Sequence, residues 1–355
     1  MILGTTRNNI GRPYLRTQVA ALNSRILSIS SATGYHDCKG MEPQSSKSES
    51  PLWNKICSTY RLAQEKGAAS LTSTSTETLE DQGFRYILKI ASNLKDKPKP
   101  RKAKGTMQTR NPFLPPDPDL FVSQLSTGQH SCVLNKFNLV AHHCIIITDD
   151  FHPQEEPLNA SDFEACWEVL CCMPNGGLVY FNCGENSGAS QPHKHIQCIP
   201  LPLAYDDDGI PLESPFHLKF HQGAAHAKKG EIFSVHGIPF MHAAFGIDQY
   251  FLNKQGQNWF EYIEKRYGDC MDYLERKLEK GARAWTPRSD SYNMLMTREY
   301  FVVIPRSCED NSGVGCNAMG YAGSFFLSSK DEIEQVKRLG PSYVLQTLGF
   351  ANSEE

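Results

Sequence analysis

His193, His195 and Gln197 occupy alternate positions of the run His193-Lys194-His195-Ile196-Gln197. If that run is a strand, the three side chains line one face, and Lys194, Ile196 and Cys198 take the other. Immediately upstream lies Asn182-Cys183-Gly184-Glu185-Asn186-Ser187-Gly188-Ala189-Ser190-Gln191, a stretch rich in Gly, Ser and Asn. Two imidazoles and a carboxamide beside such a loop suit attack by histidine on a phosphate. A neutral imidazole is a usable nucleophile at neutral pH, because its unperturbed pKa is about 6.5. It needs its second ring nitrogen held, so that the free one points at phosphorus. Gly184 and Gly188 let the loop turn backbone N–H groups toward anionic oxygens, and Ser187, Ser190 and Gln191 add side-chain donors. Gln197 stays uncharged and offers its amide to a non-bridging oxygen.

Paired histidines on a strand also serve as structural residues or as half of a metal site. The cysteines argue against zinc. None of the twelve forms a C-x-x-C pair, and adjacent Cys171-Cys172 is not a ligand spacing. Loop composition, alternation and the glutamine together favour catalysis.

The run from Asn182 to Gln197, N-x-G-x-x-S-G-A-S-Q-x-H-K-H-x-Q, resembles the histidine-triad superfamily. Within it, the run is similar to the diadenosine tetraphosphate (Ap4A) phosphorylases, or ATP adenylyltransferases. Leu134-Asn135-Lys136-Phe137-Asn138 with His143-Cys144-Ile145-Ile146-Ile147-Thr148 resembles a second segment of that family. Ser291 to Glu299 with Val303-Ile304-Pro305-Arg306 resembles a third, and Asn317 to Gly323 a fourth. The resemblance extends from Pro51 to Phe350. Val140-Ala141-His142 departs from it, standing where family members usually carry a Pro-Glu pair.

The resemblance implies an α+β fold: a histidine-triad-like antiparallel sheet with flanking helices, then a C-terminal α+β region of ATP-adenylyltransferase type. The expected divisions are an extension over residues 1–50, a catalytic domain over 51–225 and a C-terminal domain over 226–355. The implied reaction converts a dinucleoside tetraphosphate and inorganic phosphate to ATP and ADP. His195 matches the nucleophile that becomes transiently adenylylated, with His193 and Gln197 as its catalytic neighbours. Glutamine in place of a third histidine marks transfer to an acceptor other than water, since an amide is no base near neutral pH. The substrate contacts carried over are Lys97, Asn135, Lys136, Asn182, Gly188, Ala189, Ser190, Gln191 and Gln197, with Asn317, Gly320, Tyr321, Ala322 and Gly323 more distally. The implied partners are dinucleoside polyphosphates, ATP, ADP and phosphate, with Mg²⁺ carried on the substrate phosphates. No protein-bound zinc, nucleic acid or membrane is expected, and the enzyme should be a monomer. The alternatives are another histidine-triad nucleotidyltransferase, a dinucleoside polyphosphate hydrolase and, from a different class, a nucleotide-binding regulator without turnover.

Several elements must position these residues. Leu52 to Lys66 has a helical stripe of Trp53, Ile56, Cys57 and Tyr60, while Arg85 to Leu94 is ambiguous. Ala68 to Thr78 reads as a flexible polar segment, and the prolines of Asn111 to Pro118 exclude regular structure there. His130 to Lys136 and Leu139 to Thr148 read as paired strands. Ser161-Asp162-Phe163-Glu164 reads as a capping box opening a helix striped by Phe163, Cys166, Trp167 and Leu170. Leu178 to Asn182 is the strand before the loop, and Pro200 to His226 a long connection. A helix follows over Trp259 to Leu278, with Ile263, Tyr267, Cys270 and Leu274 inward, then a strand over Met294 to Ile304. Ser329 to Leu339 closes the chain as a helix. Of the histidine pair at 142 and 143, at most one can face a site, because neighbours on a strand alternate.

Composition sets the bounds. A chain of 355 residues, 40% hydrophobic, can bury a large core, and a net charge of −3 exerts no global pull on nucleic acid or membranes. No apolar run nears the ~18 residues that span a bilayer. Twelve cysteines without framework spacing point to a reducing compartment. Lys95, Lys97, Lys99, Arg101, Lys102 and Lys104 concentrate positive charge in a Pro-broken segment without interleaved aromatics, which fits a phosphate chain better than stacked bases. Arg7, Arg12, Arg16 and Arg25 precede the first acidic residue, Asp37, as in an organellar transit peptide, though simple disorder accounts for them equally. The expected location is cytoplasmic, or a mitochondrion or plastid where residues 1–40 act as such a peptide.

Overall fold

Continuous and alternating apolar runs give one large sheet and a small one. The computed structural model describes residues 50–91, 111–206, 208–247, 258–279, 284–287 and 289–352. The N-terminal extension up to residue 49 and the Lys95–Lys104 run, with Lys97, lie outside the described residues. Leaving aside three two-stranded pairings of two-residue strands, the strands of these two sheets are β1 (Thr74–Asp81), β2 (Phe84–Ala91), β3 (Phe121–Gln124), β4 (His130–Leu134), β5 (Cys144–Thr148) and β6 (Gly177–Cys183). There follow β7 (His195–Pro200), β8 (Ala243–Gly246), β9 (Tyr292–Met296), β10 (Tyr300–Pro305) and β11 (Ser324–Leu327). The helices are α1 (Pro51–Glu65), α2 (Ala160–Cys172), α3 (His217–His226), α4 (Trp259–Leu278), α5 (Ala318–Tyr321), α6 (Lys330–Leu339) and α7 (Pro341–Leu348).

Eight strands pair antiparallel in the order β8-β10-β9-β6-β7-β5-β4-β3, so the sheet is drawn from both sides of position 225. The seam between the two sequence halves is β6 against β9, where Asn182 stands opposite Asn293. A second sheet, β11-β2-β1, pairs β11 parallel to β2 and β1 antiparallel to it.

The pleat sorts the core into two layers. Cys144, Ile146, Val179, Phe181, Ile196 and Cys198 pack on one face with buried residues of α1, α2 and α4. Leu178, Tyr180, Ile199, Leu295 and Val302 pack on the other with the small sheet, α3 and α7. Each fully buried Leu, Ile or Phe contributes roughly 1.5–3 kcal/mol, so packing on both faces holds the sheet between its layers.

The structure corrects several local expectations. The capping box of α2 begins earlier, at Asn159: its side chain accepts from the Ser161 and Asp162 amides, and the Asp162 carboxylate accepts from the Asn159 amide. Asp162, a buried carboxylate, thus takes the role expected of Glu164. The polar Ala68–Thr78 segment ends in strand β1, whose Thr and Glu residues alternate against β2, and the ambiguous Arg85 region is β2 itself. Met294 to Ile304 is a hairpin, because the Thr297 hydroxyl accepts from the Glu299 and Tyr300 amides and turns the chain. After α6, Gly340 with a φ of 84° and Pro341 start a further helix, α7.

Candidate active site

His193 and His195 lie side by side, yet their ring nitrogens are used differently. His193, just before β7, bridges to Pro153 and is fully buried. The Asn111 amide donates to its Nδ1 at 3.0 Å, with the Asn111 oxygen fixed by the Phe113 N–H. Its Nε2–H points at the Thr148 carbonyl (3.0 Å) and hydroxyl (2.8 Å), and that hydroxyl donates to the Asp150 carbonyl. Both nitrogens are spent. His195 donates Nδ1–H to the His193 carbonyl at 2.9 Å. Its Nε2 has no partner among the described residues and keeps its lone pair. Burial pushes the His195 pKa down to about 4, so the ring is neutral at pH 7. The strand backbone is held as well: the Gln154 side chain accepts from the His195 amide at 2.8 Å and donates to the Asn182 carbonyl at 2.8 Å. Phe113 packs on both imidazoles, at 5.7 and 5.4 Å between ring centroids.

Gln197 is oriented by a chain of polarised hydrogen bonds. Asn135 Nδ2 donates to the Phe137 carbonyl and to His143 Nδ1. His143 therefore carries its proton on Nε2, 3.3 Å from the Tyr180 hydroxyl. Tyr180, cross-strand from Gln197, donates to Gln197 Oε1 at 2.8 Å. With the oxygen occupied, Gln197 presents its NH₂, a donor, to the cleft. Burial lowers His143 to about 4, which keeps this chain uncharged.

The loop after β6 supplies further donors. Gly184 and Gly188 adopt φ of 85° and 81°, where side chains with a Cβ are strained. A Cβ on Gly188 would also sit 3.0 Å from the Asn317 Cα, so glycine permits the loop to rest on the start of α5. The Asn182 Oδ1 accepts from Asn293 Nδ2 (2.8 Å) and the Ala318 amide (2.9 Å). Arg306, 1% exposed, donates to Asn293 Oδ1 and to the Ser187 and Cys316 carbonyls. Among the described residues no acceptor faces the N–H groups of Ala189, Ser190 and Gln191. They are available to an anion.

Beside these groups opens a cleft of ≈ 770 Å³ lined by Asn135, His143, Tyr180, Gly188 and Gln197 on one side and Cys316, Asn317, Met319 and Gly320 on another. The pattern of the Ap4A phosphorylase N-terminal domain matches residues 42–217, and that of the ATP adenylyltransferase C-terminal domain matches 236–351. The chain belongs to the Ap4A phosphorylase family. It is 26% identical over 332 residues to diadenosine 5',5'''-P1,P4-tetraphosphate phosphorylase 2 of Saccharomyces cerevisiae, covering 86% of this chain and 96% of that one. Protein APA1 of the same yeast is 24% identical over 294 residues, 78% of this chain and 87% of its own. The crystal structure of yeast Ap4A phosphorylase Apa2 in complex with AMP superposes with a TM-score of 0.67 at 23% identity, over 86% of this chain and 99% of that one. The same yeast protein solved in complex with Ap4A gives the same score and coverage. At that identity the likeness establishes the fold.

In this family member the residues nominated from sequence separate into groups. Asn135, Gly188, Gln197, Asn317 and Gly320 line the cleft; His195 shares the β7 face of Gln197, His193 is buried just before that strand, and Ala189, Ser190 and Gln191 lead from Gly188 towards it. Asn182 is buried in the seam and its oxygen is committed to Asn293 and Ala318. Tyr321 and Ala322 face the core: the Tyr321 hydroxyl donates to the Leu345 carbonyl, and its ring packs on Phe240. Gly323 packs against Pro215, and Lys136 is exposed beside Phe137. Sequence reasoning missed Asn111, Phe113, Gln154 and Tyr180, and it gave His143 no role beyond its place in a motif and in the 142–143 pair. No local motif marks them, because each acts through a pairing made by the tertiary fold. His142 lies in the turn before β5 with a φ of 61°, so strand alternation does not apply to the pair, and its ring sits 4.7 Å from that of Tyr60.

Proposed function

We propose that this protein cleaves diadenosine tetraphosphate by phosphorolysis, giving ATP and ADP. The observation that carries the reading is the unequal use of the two histidines: of the pair, only His195 keeps an unpartnered ring nitrogen on a neutral ring, and the loop that leads to it carries backbone N–H groups without acceptors among the described residues. His195 Nε2 attacks the α-phosphorus in line, the bond to the bridging oxygen breaks, and ATP departs. An oxygen of inorganic phosphate then attacks the adenylyl phosphorus, the P–N bond breaks, and ADP forms while His195 returns to its neutral state. The His193 carbonyl stabilises the proton on Nδ1 as positive charge develops on the ring, and the His193 ring is held by Asn111 and Thr148 so that this carbonyl stays in place. The Gln197 NH₂ and the 189–191 amides donate to the non-bridging oxygens. Gln197 has no basic lone pair for water, which favours phosphate as the acceptor. Magnesium enters as part of the substrate, on its phosphate oxygens. Binding of dinucleoside polyphosphates and adenylates follows from the same reading.

The test is incubation of Ap4A and Mg²⁺ with ³²P-labelled phosphate, for the natural sequence and for His195→Ala. Label in the β-position of ADP, formed only with phosphate and reduced at least ~10⁴-fold in the variant, is the expected result. ATP plus AMP without phosphate would make the enzyme a hydrolase and overturn the role of Gln197. Binding without either product would make it a regulator.

A further inference from the structure

The far wall of the cleft comes from the small sheet, where Lys89 of β2 stands in register with Phe326 of β11. Phe325 and Leu327 point into the core, so Ser324 and Phe326 face the cleft. Lys89 is only 8% exposed. Its ammonium donates to the Leu139 carbonyl at 3.1 Å, and no carboxylate lies within ion-pair distance among the described residues. Of the acidic groups that line the cleft with Glu309, Glu332 accepts from the Ser328 amide and hydroxyl, and Asp310 from the Gly313 amide. A buried cation without a counter-charge costs free energy that a protein recovers when an anion arrives. Burial also lowers the Lys89 pKa, as expected of an ammonium with no compensating partner. The Phe326 ring beside it is 42% exposed, an aromatic face open to the same cavity.

We propose that Lys89 and Phe326 form the subsite for the nucleotide that departs, Lys89 binding phosphate oxygens beyond the reacting phosphorus and Phe326 stacking on the base. The donors for the reacting phosphate are already in place on β7 and the 184–191 loop. Lys89 belongs to a different sheet and is reached past Leu139, in the segment that leads from Asn135. The assignment of this end to a leaving nucleotide rests on the reaction proposed above; the anion-binding role of Lys89 does not.

The test is calorimetric titration of the full chain and of Lys89→Met, Lys89→Arg and Phe326→Ala with AMP, ADP and ATP in the presence of Mg²⁺, alongside thermal melts. Lys89→Met should weaken binding progressively along that series, by roughly ten- to a hundredfold for ATP and little for AMP. Lys89→Arg should restore most of the loss. Without ligand, Lys89→Met should melt no lower than the natural protein, because it removes an uncompensated charge, while its ATP-induced rise in Tm shrinks. Phe326→Ala should weaken ATP binding roughly fivefold or more by loss of stacking. Equal losses for AMP and ATP would place Lys89 at the reacting phosphate and overturn the subsite. Unchanged affinities, or a large drop in Tm of the unliganded variant, would make Lys89 a structural residue. Because binding is read without turnover, an absence of phosphorolysis in the natural protein would refute the reaction and leave the anion site standing.

Discussion

The two faces of β7 are built on opposite plans. On the side away from His195 and Gln197, Lys194 donates to Asp162 Oδ2 at 3.3 Å and to the Pro157 carbonyl at 3.1 Å, with Glu156 3.6 Å away. Asp162 also holds His130 Nε2 at 2.9 Å and the Asn159 amide. Burial pushes the Asp162 carboxyl up, but His130, Lys194 and the Asn159 amide outweigh it and hold the pKa below the usual carboxylate value. Next to this cluster, Ile196 and Cys198 are sealed in apolar core. On the cleft face, His195 Nε2 and the Gln197 NH₂ are left for a ligand. A closed, fully paired face thus fixes a strand whose other face is unfinished, and this is how a nucleophile can be both free and immobile.

The largest expected effect attacks the closed face. Asp162→Ala removes the acceptor of Lys194, His130 and the Asn159 amide together, and leaves the buried Lys194 ammonium with only the half-exposed Glu156, 3.6 Å away, as counter-charge. The expected cost is about 3–5 kcal/mol of stability. Urea unfolding measures it, and turnover per folded molecule should fall far less than in His195→Ala. Lost turnover at unchanged stability would mean that Asp162 belongs to the chemistry, and the division between the faces would fail.

A second effect distinguishes buried neutral imidazoles from the charged cluster. Burial lowers His195, His143 and His242 to about 4, against about 6.5 unfolded. Between those values the unfolded chain binds more protons than the folded one, so stability falls as pH falls. The loss begins below about pH 6.5, is complete near pH 4, and amounts to about 3 kcal/mol for each histidine. Asp162, with its lowered pKa, adds a loss of the same sign only further down, as pH drops through its folded value. Urea midpoints at pH 7.5, 6 and 5 should therefore decline. A flat response would show that the cleft histidines take up protons without unfolding. His242 lies outside the cleft, its Nε2 accepting from the Val235 amide, so His242→Asn isolates its share of the decline.

What was legible in the sequence follows the same division. The strand with His195 and Gln197, the preceding loop and the helix α4 could be read because alternation, glycine and a helical stripe are local signals. The β6–β9 seam was not legible. Asn182 is a ligand contact by the family resemblance, and only the register that sets it opposite Asn293 shows its oxygen taken up inside the protein. Gln154 and Asn111 lie in proline-punctuated loops, and nothing near them announces that one holds the His195 backbone and the other fixes a tautomer. Lys89 falls in the ambiguous Arg85–Leu94 run, and only the pairing of β11 with β2 sets it in register with Phe326.

The smallest expected effect probes the cleft face alone. Tyr180→Phe removes the hydroxyl that occupies Gln197 Oε1 and leaves the His143 Nε2–H without its acceptor. The core loses only one oxygen atom, so the expected cost in stability is about 1 kcal/mol. The Gln197 amide, no longer oriented, can turn its oxygen toward the phosphate, where an acceptor repels. kcat/KM for Ap4A should fall about tenfold, the equivalent of one lost hydrogen bond in the transition state. Gln197→Glu should be far more damaging, since it fixes an anion where Tyr180→Phe only permits a misplaced oxygen. Should Tyr180→Phe leave kcat/KM intact, the orientation of Gln197 must come from the ligand, and the cleft face would be organised by its substrate rather than in advance of it.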